Sequence, residues 1–283
     1  MVATAVVVGA YVSRWPTRWS PALLAAAAAF AAAAGANAVN DAADRRTDAV
    51  NRPNRPIPSG RVTPRAAVVV AVVAWVLAVL LSLRVGGDAV LVVAAWVVVT
   101  AAYSPWIKRV PYLKDGVVAL VAASPFVLGG ISQGKLLLSL VPFVLAFLAH
   151  SARELVKDVE DIEGDERAGV RTAAVVFGPG PSLAVARGII FVLMAAAALP
   201  YVAPRLMATD DVHPMLTPIA ERVLEGIGYN WGYAALVVVA DILLVRVLFL
   251  ISGDTGRAAL RRASATLKAV MVVGIVAFIV GVL

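Results

Sequence analysis

Long apolar runs alternate with short polar breaks along almost the whole chain. Segments bounded by charge, Gly or Pro predict nine helices, at about 1–12, 20–42, 64–84, 86–104, 115–131, 135–156, 180–202, 229–251 and 262–283. Stretches such as Pro21–Ala34, Ala66–Leu83 and Leu267–Leu283 approach or reach the ~17–25 residues that cross a bilayer. A soluble protein of this length does not need so many unbroken runs. The pattern therefore predicts an all-α, polytopic membrane bundle of about nine transmembrane helices, folded as a single domain over residues 1–283. The first segment is short, so it either crosses tilted or partway, or the chain starts downstream of a natural beginning.

Composition strengthens this reading. Hydrophobic residues make up 61% of the chain, against about 45–50% in soluble domains, and the mean hydropathy is +0.88. There is no cysteine, which excludes disulfides and cysteine-based metal or nucleophile chemistry. His150 and His213 are too few and too far apart for a zinc site. No cleavable leader is expected, since Met1 runs straight into apolar residues.

The net charge of +7 reports topology rather than nucleic-acid binding. Of the 25 Lys and Arg, 17 fall on the face reached after helices two, four, six and eight. Six lie on the other face, and Arg187 and Arg246 lie inside spans. The positive-inside rule makes the charged face cytoplasmic, in a multi-pass protein of the cell membrane. The one long segment on the opposite face, about 203–228, reads as an irregular or short-helical cap. Trp15, Trp19, Trp106 and Trp231 read as interfacial residues at span ends.

Two acidic constellations stand on the charged face. Asn40, Asp44 and Asp48, at i, i+4 and i+8, form one stripe on a helix, drifting about 40° per step, with Asp41 rotated about 100° away. Asp158, Asp161 and Asp165, at i, i+3 and i+7, form another, with Glu154 one turn above. Like charges at i, i+4 cost a few tenths of a kcal/mol per pair, and a carboxylate near the bilayer interior costs about 2.5–3.5 kcal/mol. Shared cations relieve both costs. Mg²⁺ suits such sites, because it is hard, oxygen-seeking and commonly held by a few carboxylates plus substrate phosphates. The plainer reading is a pair of solvated helix ends with Asp paired to nearby Arg; the matched side and spacing favour the metal.

Basic residues complete an anion site. In Asn51–Arg61, prolines at 53, 56 and 58 (with Pro64 just beyond) prevent a long helix, and Arg52 and Arg55 have the forked geometry that clamps phosphate. Tyr103, Ser104 and Lys108 follow helix four, and Lys157 sits beside Asp158. Anchoring to lipid headgroups is the alternative for any one basic residue; Arg52, Arg55 and Lys108 stand out by their company. A transporter or flippase, with Asp241 and Arg246 on its ion path, is the rival class. Its functional carboxylates would be spread near the midplane, whereas these cluster at one face.

At these residues the sequence resembles the UbiA superfamily of intramembrane prenyltransferases. Asn40, Asp41, Asp44 and Asp48 match its NDxxDxxxD motif, and Asn51–Gly60 its NRPxRPIPSG-like loop. Tyr103, Ser104 and Lys108 fit its YxxxxK-like element. Asp158, Asp161, Asp165, Gly169, Arg171 and Thr172 fit the second motif. Within that family the run Arg153–Asp165 most resembles the archaeal digeranylgeranylglyceryl phosphate synthase branch. Unlike most members, the chain starts beyond the polar approach to the first helix. The resemblance implies a helical bundle around a central cavity, capped by cytosolic loops at about 43–64, 105–114 and 157–172. It implies two Mg²⁺, held by Asn40, Asp41, Asp44, Asp48, Asp158, Asp161 and Asp165. Asp44, Asp48, Asp161, Asp165 and Lys108 would be catalytic, and Arg52, Arg55, Tyr103, Ser104, Lys108 and Lys157 would bind diphosphate. The donor would be a polyprenyl diphosphate; the acceptor a lipid, geranylgeranylglyceryl phosphate, or an aromatic ring of quinone synthesis.

Overall fold

The structure, a computed structural model, describes residues 1–13, 17–45, 48–49, 53–103, 106–107, 110–167, 169–207, 229–253 and 256–282. Expectations for Arg52, Ser104, Lys108 and most of the segment about 203–228 lie outside the described residues. The described elements are all helical: α1 (Val2–Ser13), α2 (Trp19–Ala43), α3 (Pro64–Leu83), α4 (Gly87–Tyr103), α5 (Leu113–Ala123), α6 (Pro125–Gln133), α7 (Leu136–Glu160), α8 (Ile162–Arg167), α9 (Ala173–Phe177), α10 (Pro179–Met207), α11 (Trp231–Ser252) and α12 (Arg257–Val282).

Seven segments are long and apolar enough to cross a membrane, α5 and α6 counting together as Leu113–Gln133, and α1 and α4 are shorter apolar helices. The nine expected segments are all present, so the protein is a multi-pass bundle. The expected helix at 115–131 is divided at Ser124, because Pro125 has no N–H to donate. Gly134, left-handed at φ 69°, then ends α6. Side-chain caps set two of the other helix starts. Thr63 Oγ1 accepts from Ala66 N–H at 3.1 Å ahead of Pro64. Asn230 Oδ1 caps α11 at Gly232 and Tyr233 while its Nδ2 donates to Val280 O at 2.8 Å.

The bundle has two packed halves. In one, the alanine face of α2 lies against α3 and α4 with α1 and Leu128 of α6. In the other, α7 packs with α9, α10, α11 and α12. A third cluster, with Val8, Phe126, Tyr233 and Phe278, binds α1 and α6 to α11 and α12. Between helices in lipid there is little hydrophobic drive, so close packing of small residues does the holding. At the α1–α6 crossing, a Cβ on Gly9 would stand 2.2 Å from Phe126 O, and one on Gly129 2.2 Å from Val6 O. The two backbones touch there. At Gly35, a Cβ would strike the Trp75 ring, whose Nε1 donates to Ala32 O at 3.3 Å.

Large apolar side chains face outward: Val69 and Leu80 on α3, Leu91 and Val98 on α4, Phe191 on α10, Ile242 and Phe249 on α11. A bilayer accommodates that surface and water does not. Trp19, Trp106 and Trp231 are exposed at or beside helix ends, as interfacial residues are; Trp15 lies outside the described residues.

Candidate active site

The first acidic motif continues the helical register beyond α2. Asp44 N–H donates to Asn40 O at 2.8 Å and Asp48 N–H to Asp44 O at 2.9 Å. Asn40, Asp44 and Asp48 thus follow one backbone ladder, as their spacing predicts. Asp48 is buried, 7% exposed. Arg55 reaches back to this motif rather than standing apart as an anion clamp. Its Nη1 donates to Asp48 Oδ2 at 2.7 Å and to Asp41 Oδ1 at 3.0 Å. The Pro-rich turn holds it there, with Ser59 N–H donating to Arg55 O at 3.0 Å.

The second motif spans a helix junction. α7 runs four residues past its expected end and carries Lys157 and Asp158 on a rigid element. Asp161 N–H donates to Lys157 O at 2.9 Å and Asp165 N–H to Asp161 O at 3.0 Å, so this stripe also holds its helical face. Much of the expected loop at 157–172 is therefore helical, the end of α7 followed by α8. Val170 N–H closes back on Asp165 O at 2.9 Å, and Gly169 turns there at φ 67°. Thr172 then caps α9.

Asp158 is buried and bound to a residue that the motifs do not contain. Lys114 Nζ donates to Asp158 Oδ1 at 2.7 Å and to Asp115 Oδ1 at 2.6 Å. The second oxygen of each carboxylate has no partner. Lys114 and Asp115 escaped the sequence reading, and the only local signal was an opposite-charge pair opening an apolar span. Beside them, Glu154 pairs with Arg153 Nη1 at 2.7 Å. Tyr103 lies within the fields of Lys114, Glu154, Asp115 and Asp158.

Two cavities open inward. One, of about 240 Å³, runs between Asn40 and Tyr103 and onward past Asn37, Thr100, Trp96 and Val121. It thus brings a first-motif residue to the tyrosine that stands beside the second motif. The other, of about 180 Å³, is apolar except at His150 and Asp241, and its wall includes Leu193, Tyr233 and Phe278. Val2 and Ala122 line both. Asp241 Oδ1 is buried without a partner, while Arg246 faces outward.

Among the described residues no three ligating side chains converge on one point. The donor chemistry nonetheless suits Mg²⁺. It is all oxygen, on two ladders, with partnerless carboxylate oxygens at Asp115 and Asp158, and Mg²⁺ takes one or two carboxylates and completes its shell with water and phosphate.

Comparison with known proteins gives the same direction. The model of the UbiA prenyltransferase family matches residues 1–220. A digeranylgeranylglyceryl phosphate synthase of Natronomonas pharaonis is 43% identical over 166 residues, covering 58% of this chain and 60% of that protein. One of Methanopyrus kandleri is 33% identical over 249 residues, covering 87% of this chain and 82% of that protein. The match thus spans about three-fifths of the Natronomonas relative's length. A solved structure concerned with digeranylgeranylglyceryl phosphate synthase in membranes superposes with a TM-score of 0.79 at 23% identity, covering 99% of this chain and 92% of that one. A UbiA homolog from Archaeoglobus fulgidus, solved bound to GPP and Mg²⁺, gives a TM-score of 0.64 at 16% identity, covering 98% and 94%. At those identities the likeness concerns the fold.

Proposed function

The chain belongs to the UbiA prenyltransferase family, and we propose that it transfers a geranylgeranyl group from its diphosphate to geranylgeranylglyceryl phosphate, making an archaeal ether lipid. The observation that carries this reading is the pair of acidic helical ladders near a cavity that passes from Asn40 and Tyr103 into apolar walls. A diphosphate fits the polar end and a prenyl tail the apolar one. The name of the relatives above, digeranylgeranylglyceryl phosphate synthase, supports an acceptor of the glycerol phosphate type.

In this reading Asn40, Asp44 and Asp48, with Asp41 beside them, would hold one ion, and Asp161 with Asp165, assisted by Asp158, would hold a second. Bound Mg²⁺ supplies Lewis-acid stabilisation of the departing diphosphate. Arg52, Arg55 and Lys108 neutralise charge developing on that leaving group, and Tyr103, Ser104 and Lys157 orient it. The bond from C1 to the diphosphate oxygen breaks, the acceptor hydroxyl oxygen bonds C1, and the hydroxyl proton leaves to a carboxylate or to diphosphate. Apolar walls keep water from the allylic cation. A millionfold acceleration requires lowering the barrier by only about 8 kcal/mol, within reach of several charge-assisted contacts in a dry site. The segments at about 43–64, 105–114 and 157–172, the last of them largely helical, cap this site on the cytoplasmic face of the cell membrane, following the positive-inside rule.

The test offers purified protein Mg²⁺, geranylgeranyl diphosphate and competing acceptors: geranylgeranylglyceryl phosphate, 4-hydroxybenzoate and a dihydroxynaphthoate. Mass spectrometry identifies the product. The expected product is the diether phosphate, lost in Asp48→Asn and in Asp165→Asn although both variants fold. A prenylated aromatic product would move the assignment to quinone synthesis. Undiminished activity in both variants would sink the metal assignment.

A further inference from the structure

Lys114, Asp115 and Asp158 form a charged island inside the bundle, 7%, 3% and 7% exposed respectively. Lys114 Nζ binds both carboxylates, at 2.6 and 2.7 Å, which puts the two accepting oxygens within roughly 5 Å of each other. One ammonium does not satisfy two carboxylates. Asp115 Oδ2 and Asp158 Oδ2 are buried with no hydrogen-bond partner, a costly arrangement unless something else comes to them. The chain is bent to make the island. Tyr112, immediately before α5, has φ 59° and ψ −40°, a positive-φ γ-turn closed by Leu113 N–H donating to Pro111 O at 2.7 Å and unusual for an aromatic residue. It is held there by stacking on Phe177 at 5.2 Å between ring centroids. Strain of this kind persists where the surroundings enforce it, and it gathers at working sites.

We propose that Lys114 is a tethered placeholder for a divalent cation. Its ammonium holds Asp158 to Asp115 in the metal-free protein, and it releases Asp158 to the ion that binds the second motif with diphosphate. The inference rests on the metal reading above and adds two residues, Lys114 and Asp115, that no motif contains. Its logic is competition: ion affinity is reduced by the fraction of molecules in which the ammonium still holds Asp158. The long flexible stem of lysine suits a charge that must move, as a rigid guanidinium fork does not.

The test measures Mn²⁺, another hard oxygen-seeking ion, bound to the purified full chain, by electron paramagnetic resonance. In the double variant Lys114→Met with Asp115→Asn, one cation and one carboxylate are removed together, so the island keeps its net charge while Asp158 loses its ammonium partner and is free to take the ion. Without diphosphate it should bind Mn²⁺ about tenfold tighter than the unaltered chain, as expected where the ammonium-free state is populated a tenth of the time. Asp115→Asn alone should act in the opposite direction, since Lys114 then has Asp158 as its one partner and holds it more firmly. Equal Mn²⁺ affinity in all three proteins would make the island a purely structural ion pair and overturn the proposal. Should the unaltered chain bind no Mn²⁺ even with diphosphate present, the metal reading itself falls, and this inference with it.

Discussion

Each acidic motif carries a resident cation, Arg55 across Asp41 and Asp48 and Lys114 across Asp115 and Asp158. The two differ in setting. Arg55 and Asp41 are partly open to solvent, whereas the Lys114 island is sealed. Losing the exposed pair with Asp41 costs only about 0–1 kcal/mol, but Asp48 is buried and its 2.7 Å bond to Arg55 is the larger loss, so removing Arg55 lowers stability as well as activity. Arg55→Gln should lower kcat/KM for prenyl diphosphate by roughly 10²-fold, comparable to the loss of one charge-stabilising donor, and should lower the melting temperature because buried Asp48 loses its charged partner; steady-state kinetics beside thermal melting check this. The stripes at Asn40–Asp48 and Asp158–Asp165 were legible because helical spacing is a local property. The bond from Lys114 to Asp158 crosses 44 positions, and no spacing rule reaches so far. Arg55 was legible as a partner of the site, but not as one already engaged with Asp48.

At the scale of elements, the apolar runs fix where helices lie, and the caps fix where they start. Thr63 with Pro64, and Asn230, perform in the structure the roles their residue types imply. Asn230 does more than cap: its side chain also fastens α11 to Val280 of α12. Asn230→Ala should accordingly destabilise by about 2 kcal/mol, the upper end for a cap, and thermal or chemical unfolding in detergent measures it. Ends were harder to read. α7 overran its expected end because Val156, Val159 and Ala152 continue an apolar face that packs onto α9 and α10. That tertiary support outweighs the charges interleaved with it. The break between α5 and α6 lies inside the segment expected as one helix at 115–131, and whether a pair such as Ser124-Pro125 kinks or divides a span depends on neighbours. Here Trp96 Nε1 donates to Ser124 Oγ at 2.6 Å and ties the junction to α4.

For the molecule as a whole, the two cavities meet at Val2 and Ala122, a junction no linear pattern shows. If a prenyl tail passes from the Asn40 end through this junction, a bulky residue there shortens the usable path. Ala122→Phe should reduce turnover of a twenty-carbon donor at least about tenfold more than that of a ten-carbon donor, overpacking being costly where a tail must lie; competition between donors of two lengths reads this out by product mass. Chelation should abolish turnover of either donor and added Mg²⁺ should restore it, which an assay before and after dialysis checks. α1 furnishes part of the wall of both cavities, and it is seated by the contact of Gly9 and Gly129 with opposing backbone. Over generations such a contact behaves as a ratchet, because any larger side chain at either place must find a compensating change elsewhere before it can persist. Descendants of a common ancestor should therefore keep the smallest residues at these two positions, although neither touches a reactant. If a broad sequence comparison found both positions varying freely, something other than this crossing would be seating the helix.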